Sequence, residues 1–260
     1  MTDQDWSVGG YYPLFNRSGI ADFPNPIRMD KIVNDTRQRL VENFQHTPGI
    51  NGDLDNSTES TRVPRNKDFE LVGSNASSDD VTFNTTSAGM LLTTDGSGGS
   101  QVIVAPHLDT KQTAWSGTKW GTENQVIWEA NIRTGANITS TIILWAGLKL
   151  TNDQDITTDD NQVFFRFDTN VANWEAVSTA SSADSDVEVD TGVVVAINTN
   201  YYFRIEFDSA RRAHFFINNK EVALSAAIEN DKDLIPYVGV EGDAKTLILY
   251  NESISRVYFE

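Results

Sequence analysis

The stretch YYFRIEFDSARRAHFFINNKEV, residues 201–222, alternates apolar and polar side chains on both sides of a polar break. Successive side chains of an extended strand point to opposite faces. This period of two puts Phe203, Ile205 and Phe207 on one face and Arg204, Glu206 and Asp208 on the other. After Ser209, Ala210, Arg211 and Arg212 the pattern resumes, with Phe215 and Ile217 alternating with His214 and Phe216. Asn218 and Asn219 make a second turn, because asparagine tolerates a left-handed backbone, and a third strand starts at Glu221. The segment is a half-buried antiparallel hairpin, with His214 an ordinary strand side chain.

From Phe69 onward the chain reads as short strands separated by clusters of Gly, Asn, Asp, Ser and Thr. The clearest are QVIVAP, QVIWEANIR, STIILWAGLKL, QVFFRFDT, YYFRIEFD, AHFFIN, IPYVGVE and TLILY, with ISRVYFE at the end. Trp128 and Trp145 lie inside strong strands and are expected in the core. So many strands imply two stacked sheets, and the lack of a fixed repeat argues against propellers and solenoids. DGSGGS, residues 95–100, reads as a flexible turn between strands.

The first 66 residues have another texture. YYPLFNRSGIADFPNPIR breaks every period with three prolines, and PGINGDLDNSTESTRVPRN is loop-like throughout. Between them DKIVNDTRQRLVENF predicts a short helix over 30–44, with Asp30 as N-cap and Val33, Leu40 and Phe44 on one side. So little apolar periodicity cannot offset an ordering entropy of ~1–2 kcal/mol per residue. The expectation is an extended N-terminal arm, 1–66, ahead of a β domain, 67–260.

Composition excludes several classes. The 37 acidic residues outnumber the 20 basic ones, for a net charge of −17 and a pI near 4.4. Binding to nucleic acid or an anionic membrane needs clustered Lys and Arg, so neither partner is expected. There is no cysteine, hence no disulfide and no thiolate chemistry. No run of ~18 apolar residues occurs, and MTDQDWSVGG lacks the basic region and apolar run of an export signal. The seven N-x-S/T triplets carry little weight in a chain so rich in Asn, Ser and Thr.

The order VIWEANIR, ILWAGLKL, VFFRFDT…NWEAVS, VDTGVVVAINTNYYFRIEFD and AHFFINNKEVA resembles the concanavalin A-like lectin/glucanase jelly rolls, which include the laminin G-like modules. In that superfamily a strand ending in acidic residues, a turn and an F-[FY]-[IV]-[ND]-[GN] strand lie side by side in one sheet. Asn219 stands here where Gly is more usual. The resemblance covers about Lys67 to Glu260 and implies an all-β fold, a two-sheet antiparallel jelly-roll sandwich. DTG ahead of a Y-x-F/L-R-I strand is most similar to the jelly-roll domains of tailed-bacteriophage structural proteins.

The glucanases of this superfamily carry E-x-D-x-x-E on one strand. Two of the carboxylates act as nucleophile and acid, ~5–5.5 Å apart in retaining enzymes. Three segments here come close: EVDTGV with Glu188 and Asp190, EFDSAR with Glu206 and Asp208, and EGDAKT with Glu241 and Asp243. Each lacks the second glutamate, having Val193, Arg211 and Thr246 in its place. These carboxylates are expected on outer faces and turns, and the chain is expected not to be an enzyme. His46, His107 and His214 occur in no nucleophile motif. TNDQDITTDDNQ, with Asp153, Asp155, Asp159 and Asp160, fails the EF-hand spacing and reads as a solvated turn, so no metal and no cofactor are expected.

What remains is binding. Trp115 and Trp120 in TAWSGTKWGTEN, with Trp174 in NVANWEAV, are candidate contacts for a glycan or a protein partner. Trp6, Tyr11, Tyr12, Phe15 and Phe23 are candidate interface anchors of the arm. The reading is a structural protein of a phage virion, a capsid decoration or cement protein. It would be made in the host cytoplasm without a signal peptide and displayed on the virion surface. The expected partners are the major capsid protein or another virion protein, and further copies of itself. The alternative is a glycan-binding tail-fibre or receptor-binding module with a polysaccharide partner, or a free lectin or degenerate glucanase.

Overall fold

The computed structural model describes residues 37–44, 50–51, 69–86, 88–106, 118–138, 140–151, 153–154, 159–181 and 187–257. These form sixteen strands and two 3₁₀ turns, Ser78–Asp80 and Thr122–Asn124. One sheet runs β14 (Lys220–Ala227), β13 (Arg212–Ile217), β12 (Asn200–Phe207), β7 (Ile127–Thr134), β16 (Thr246–Val257), β5 (Met90–Thr93), β4 (Val81–Phe83), with β1 (Arg37–Asn43) also on β16. The other runs β11 (Val187–Val194), β10 (Asn173–Ala180), β9 (Asn161–Asp168), β8 (Ile142–Lys149), β15 (Ile235–Gly242), β6 (Gln101–Pro106), β3 (Phe69–Val72), β2 (Ile50–Asn51). Neighbours in these two orders are antiparallel except β2 with β3, which are parallel. The chain crosses repeatedly between sheets, as in a jelly roll.

The hairpin over 201–222 is built as its alternation requires. Phe203, Ile205, Phe207, Phe215 and Ile217 are buried, and Phe203 pairs with Ile217. Asn218 and Asn219 have φ of 51° and 67°, the two left-handed positions of a type I′ turn, whose twist matches that of the strands. The Asp208 carboxylate accepts the amides of Ala210 and Arg212 at 2.8 and 2.9 Å and so shapes the first turn.

Inner faces of both sheets meet in one core. At its centre Phe165 of β9 stacks on Phe203 of β12, with centroids 4.4 Å apart, and meets Phe215 edge-on. Trp174 of β10 lies edge-on to Phe203, Tyr201 and Phe167. A smaller apolar cluster of Val72, Ile103, Ala105, Trp145, Phe164, Val177 and Tyr237 alternates with these core positions. It therefore lies on the outer side of the second sheet. Trp145 is buried as expected, but in that cluster rather than between the sheets.

Other expectations change. Residues 37–43 of the helix expected over 30–44 form strand β1, Phe44 follows it, and 30–36 lie outside the described residues. Its Leu40–Phe44 spacing suits a helix, yet a place beside β16 satisfies the backbone and lets Phe44 enter the core, 0% exposed and 5.4 Å from the Phe69 ring. Strand β1, ahead of Lys67 in sequence, pairs with β16 of the first sheet. TLILY and the described part of ISRVYFE, residues 254–257, belong to the one strand β16, with a register shift between Leu249 and Asn251. The turn at 95–100 is organised by Asp95, which accepts the Ser97 amide at 2.8 Å and the Ser100 hydroxyl.

At Gly147 of β8 an added Cβ would fall on the Phe164 and Val163 backbone of β9. Gly147→Ala should therefore lower stability by about 1–3 kcal/mol, read from urea unfolding. A neutral result would mean that β8 and β9 are spaced more loosely than described.

Candidate functional site on the outer faces of the sheets

On the first sheet the polar positions of β7, β12 and β16 converge on Glu129. Its carboxylate accepts the Tyr202 hydroxyl, the Ser253 hydroxyl at 3.0 Å and the Arg39 guanidinium at 2.5 Å. Burial, with the Glu129 charge, pushes the Tyr202 phenol well above its ordinary range. The phenol is thus a fixed neutral donor and cannot serve as a base. Arg204 lies over the Phe216 ring, 4.1 Å from its centroid, and pairs with Glu206 at 3.1 Å. His214 stands between Glu221 at 2.8 Å and Asp208 at 3.5 Å. Burial would raise the Asp208 pKa, but the Arg212 contacts, the Ala210 amide and His214 prevail and hold it at about 2.

On the second sheet Arg166 of β9 is the hub. Its Nη2 bonds Glu175 of β10 at 2.9 Å and Glu188 of β11 at 2.5 Å. Burial opposes its charge, yet the two glutamates outweigh this and hold the guanidinium pKa above its ordinary value. Asp190 accepts the Asn173 amide at 2.9 Å and the Gly192 amide at 2.8 Å, which holds its pKa below the usual range. Farther along, Lys149 of β8 is 0% exposed. Its ammonium sits 3.2 Å from the Asp153 carbonyl, 4.6 Å from the centre of the Tyr237 ring and 3.9 Å from Asp159. Asp159 also accepts the amides of Leu150 and Thr151, at 2.9 and 2.8 Å, and the Thr151 hydroxyl at 2.7 Å. Asp159 is therefore no solvated carboxylate, as expected for this loop, but the buried anchor of it.

Hydrolysis by the retaining route needs two carboxylates with room between them for the scissile bond. Glu175 and Glu188 approach each other, but the Arg166 guanidinium fills the gap. Glu206 and Asp208 are engaged by Arg204 and by Arg212, and Glu241 accepts the Gln101 amide at 2.8 Å. Among the described residues no group of three His, Asp or Glu side chains is placed to hold a metal ion.

Two tryptophans expected as contacts are enclosed. Trp174 is 0% exposed at the centre of the core, and Trp120 is 1% exposed where Gly121 bridges Asp233. Neither presents a ring face to a ligand, because the polar residues beside them in sequence point elsewhere. Trp115, the arm residues Trp6, Tyr11, Tyr12, Phe15 and Phe23, and also His46, His107 and Asp155, lie outside the described residues. The Arg166 and Glu129 clusters were not singled out in the sequence. Alternation put their members on outer faces, but only strand register brings them together.

Two stacked antiparallel sheets with this crossing pattern make the molecule a jelly-roll sandwich of the concanavalin A-like kind. No family model matches the chain, and no curated protein matches its sequence. Solved structures share its fold. A protein of unknown function from Shewanella oneidensis MR-1 superposes with a TM-score of 0.56 at 8% identity, over 85% of this chain and 86% of that one. The Bacillus licheniformis β-glucanase gives 0.52 at 9% identity, over 85% and 98%. The carbohydrate recognition domain of Emp46p gives 0.50 at 9% identity, over 77% and 93%. At such identities the likeness is one of fold.

Proposed function

We propose that the chain is a non-enzymatic structural protein of a tailed-phage particle, a decoration or cement protein on the virion surface. The residues ahead of β1 would attach it to the major capsid protein or another virion protein. The observation that carries the non-catalytic part of this reading is that Arg166 stands between Glu175 and Glu188 and is bonded to both. A substrate would have to displace a half-buried guanidinium whose charge both glutamates stabilise. The phage setting rests on the resemblance of the DTG and Y-x-F-R-I segments, and the acidic surface suits an exposed, soluble, non-aggregating coat.

A polysaccharide partner is the competing assignment, since similar folds include a carbohydrate recognition domain and a β-glucanase. The burial of Trp120 and Trp174 weighs against a tryptophan platform. Purified full-length protein is expected to release no reducing sugar from laminarin, lichenan or agarose and to leave a glycan array blank. Sugar release that disappears in Glu175→Gln or Glu188→Gln would overturn the reading.

The attachment role has its own test. A chain starting at residue 37 should melt close to the full-length protein and fail to join particles. One starting at residue 61 loses β1, β2 and Phe44 and should melt markedly lower. If the chain starting at residue 37 still joins particles, attachment lies in the sandwich.

A further inference from the structure

Among the described residues the second sheet ends at β11, which is hydrogen-bonded to β10 alone. Natural sheets guard such an edge with charged side chains, above all lysine, or with proline, a bulge or a cover; against β10 the register of β11 slips between Val194 and Asp190 and is regular from Asp190 to Val187. Here residues 187–198, VEVDTGVVVAIN, contain no lysine, arginine or proline. The edge is also where apolar surface collects. Among the described residues the exposed large apolar side chains are Val41, Val187, Val189, Val194, Ile197 and Leu224, so most fall within 187–197. Val187 is 54% exposed and Val194 64%.

The backbone divides this strand. The amides of Gly192 and Val193 are satisfied from within by Asp190 Oδ1 at 2.8 Å and Thr191 Oγ1 at 3.2 Å. Among the described residues the stretch from Val187 to Thr191 has a strand partner on one side only, β10. Its side chains alternate between valine and acid, with Glu188 opposite Val177 and Asp190 opposite Glu175 on the outer face.

We propose that the free edge of β11, Val187 to Thr191, is a docking strand that pairs through its backbone with an extended segment of a partner protein in which apolar residues alternate with lysine or arginine. The ladder supplies direction and register, the valines select apolar side chains on one face, and on the other Glu188, still 43% exposed beside Arg166, and the exposed Asp190 favour basic ones. A second copy of this chain is a poor occupant, because β11 against β11 would set these carboxylates against one another on molecules of charge −17. So short a strand buries less than the ~1,000 Å² of a stable interface. Each contact is therefore weak and gains strength where many copies stand in an array. The inference goes beyond the particle assignment and does not depend on it.

The test uses the full-length chain and a synthetic capped hexapeptide alternating lysine and valine. Bound peptide should slow amide hydrogen exchange at residues 187–191 and leave the β14 edge unchanged. The same peptide N-methylated at alternate residues, or with glutamate for lysine, should bind at least about tenfold more weakly. Raising salt from about 0.05 to about 0.5 M should weaken binding of the parent peptide. Val189→Pro should abolish slowing, and the N-methylated peptide makes the same test without altering the protein. Equal binding of the N-methylated peptide would overturn the proposal, as would protection elsewhere, no protection at saturating peptide, or dimerisation that protects β11 without peptide.

Discussion

Replacing Glu252 with glutamine is expected to stabilise the sandwich by about 3 kcal/mol near pH 7 and to change little near pH 4. Glu252 lies inside β16, 1% exposed, and accepts the Trp128 indole N–H at 2.8 Å. Burial raises its pKa from 4.5 to about 8; the Trp128 bond works against this and the charge of Glu42 adds to it. Below pH 4.5 the folded and unfolded chains both hold the proton, and the group costs nothing. Between 4.5 and about 8 the unfolded chain releases the proton while the folded one keeps it. Stability therefore falls as pH rises, by about 1.4 kcal/mol per pH unit, until the folded pKa is passed. Glutamine keeps an acceptor for Trp128 and cannot ionise. Urea unfolding of both proteins at several pH values should show profiles that converge in acid and diverge toward alkali. Parallel profiles would mean that Glu252 is solvated or paired with a cation.

Truncation of Lys149 to alanine should cost about 3–5 kcal/mol, because it strands the buried Asp159 carboxylate without its cation. Asp159 is 5% exposed and holds the turn after β8 through Leu150 and Thr151, so its charge cannot simply move to water. The double replacement Lys149→Met with Asp159→Asn leaves no buried charge and should lose much less than the sum of the single changes. Additive losses would show that the two side chains act independently, the ammonium through the Asp153 carbonyl and the Tyr237 ring.

Alternation was a sound guide wherever a strand buries one face. The hairpin over 201–222 has its turns, faces and left-handed asparagines where the pattern put them. It misled where phase or partner depends on distant chain. Unbroken alternation from Leu247 and Leu249 would place Asn251 and Ser253 in the core and Glu252 outside. The register shift after Leu249 reverses this and turns Glu252 inward toward Trp128. No local signal marks that bulge. Nor does RQRLVENF disclose that β16 offers it a ladder, so its helical spacing wins when the segment is read alone.

The functional residues were legible in part. That Glu188, Asp190, Glu206 and Asp208 occupy outer faces and turns followed from period and composition. Which cation each meets did not, because Arg166 reaches Glu188 across β10, through two registers that no short window contains. Trp174 sits among Asn, Ala and Glu in sequence and reads there as a candidate contact. Its neighbours in space, Phe167, Tyr201 and Phe203, come from two other strands.

The proposal of a particle-bound structural protein is tested most directly by cryo-electron microscopy of native particles carrying this chain, with copy number measured on the same preparation. The expected result is a β sandwich standing on the head at every equivalent lattice position, in hundreds of copies and contacting the shell through the residues ahead of β1. A handful of copies at the tail would contradict the cement role in favour of receptor recognition, and absence from particles would refute the virion assignment itself.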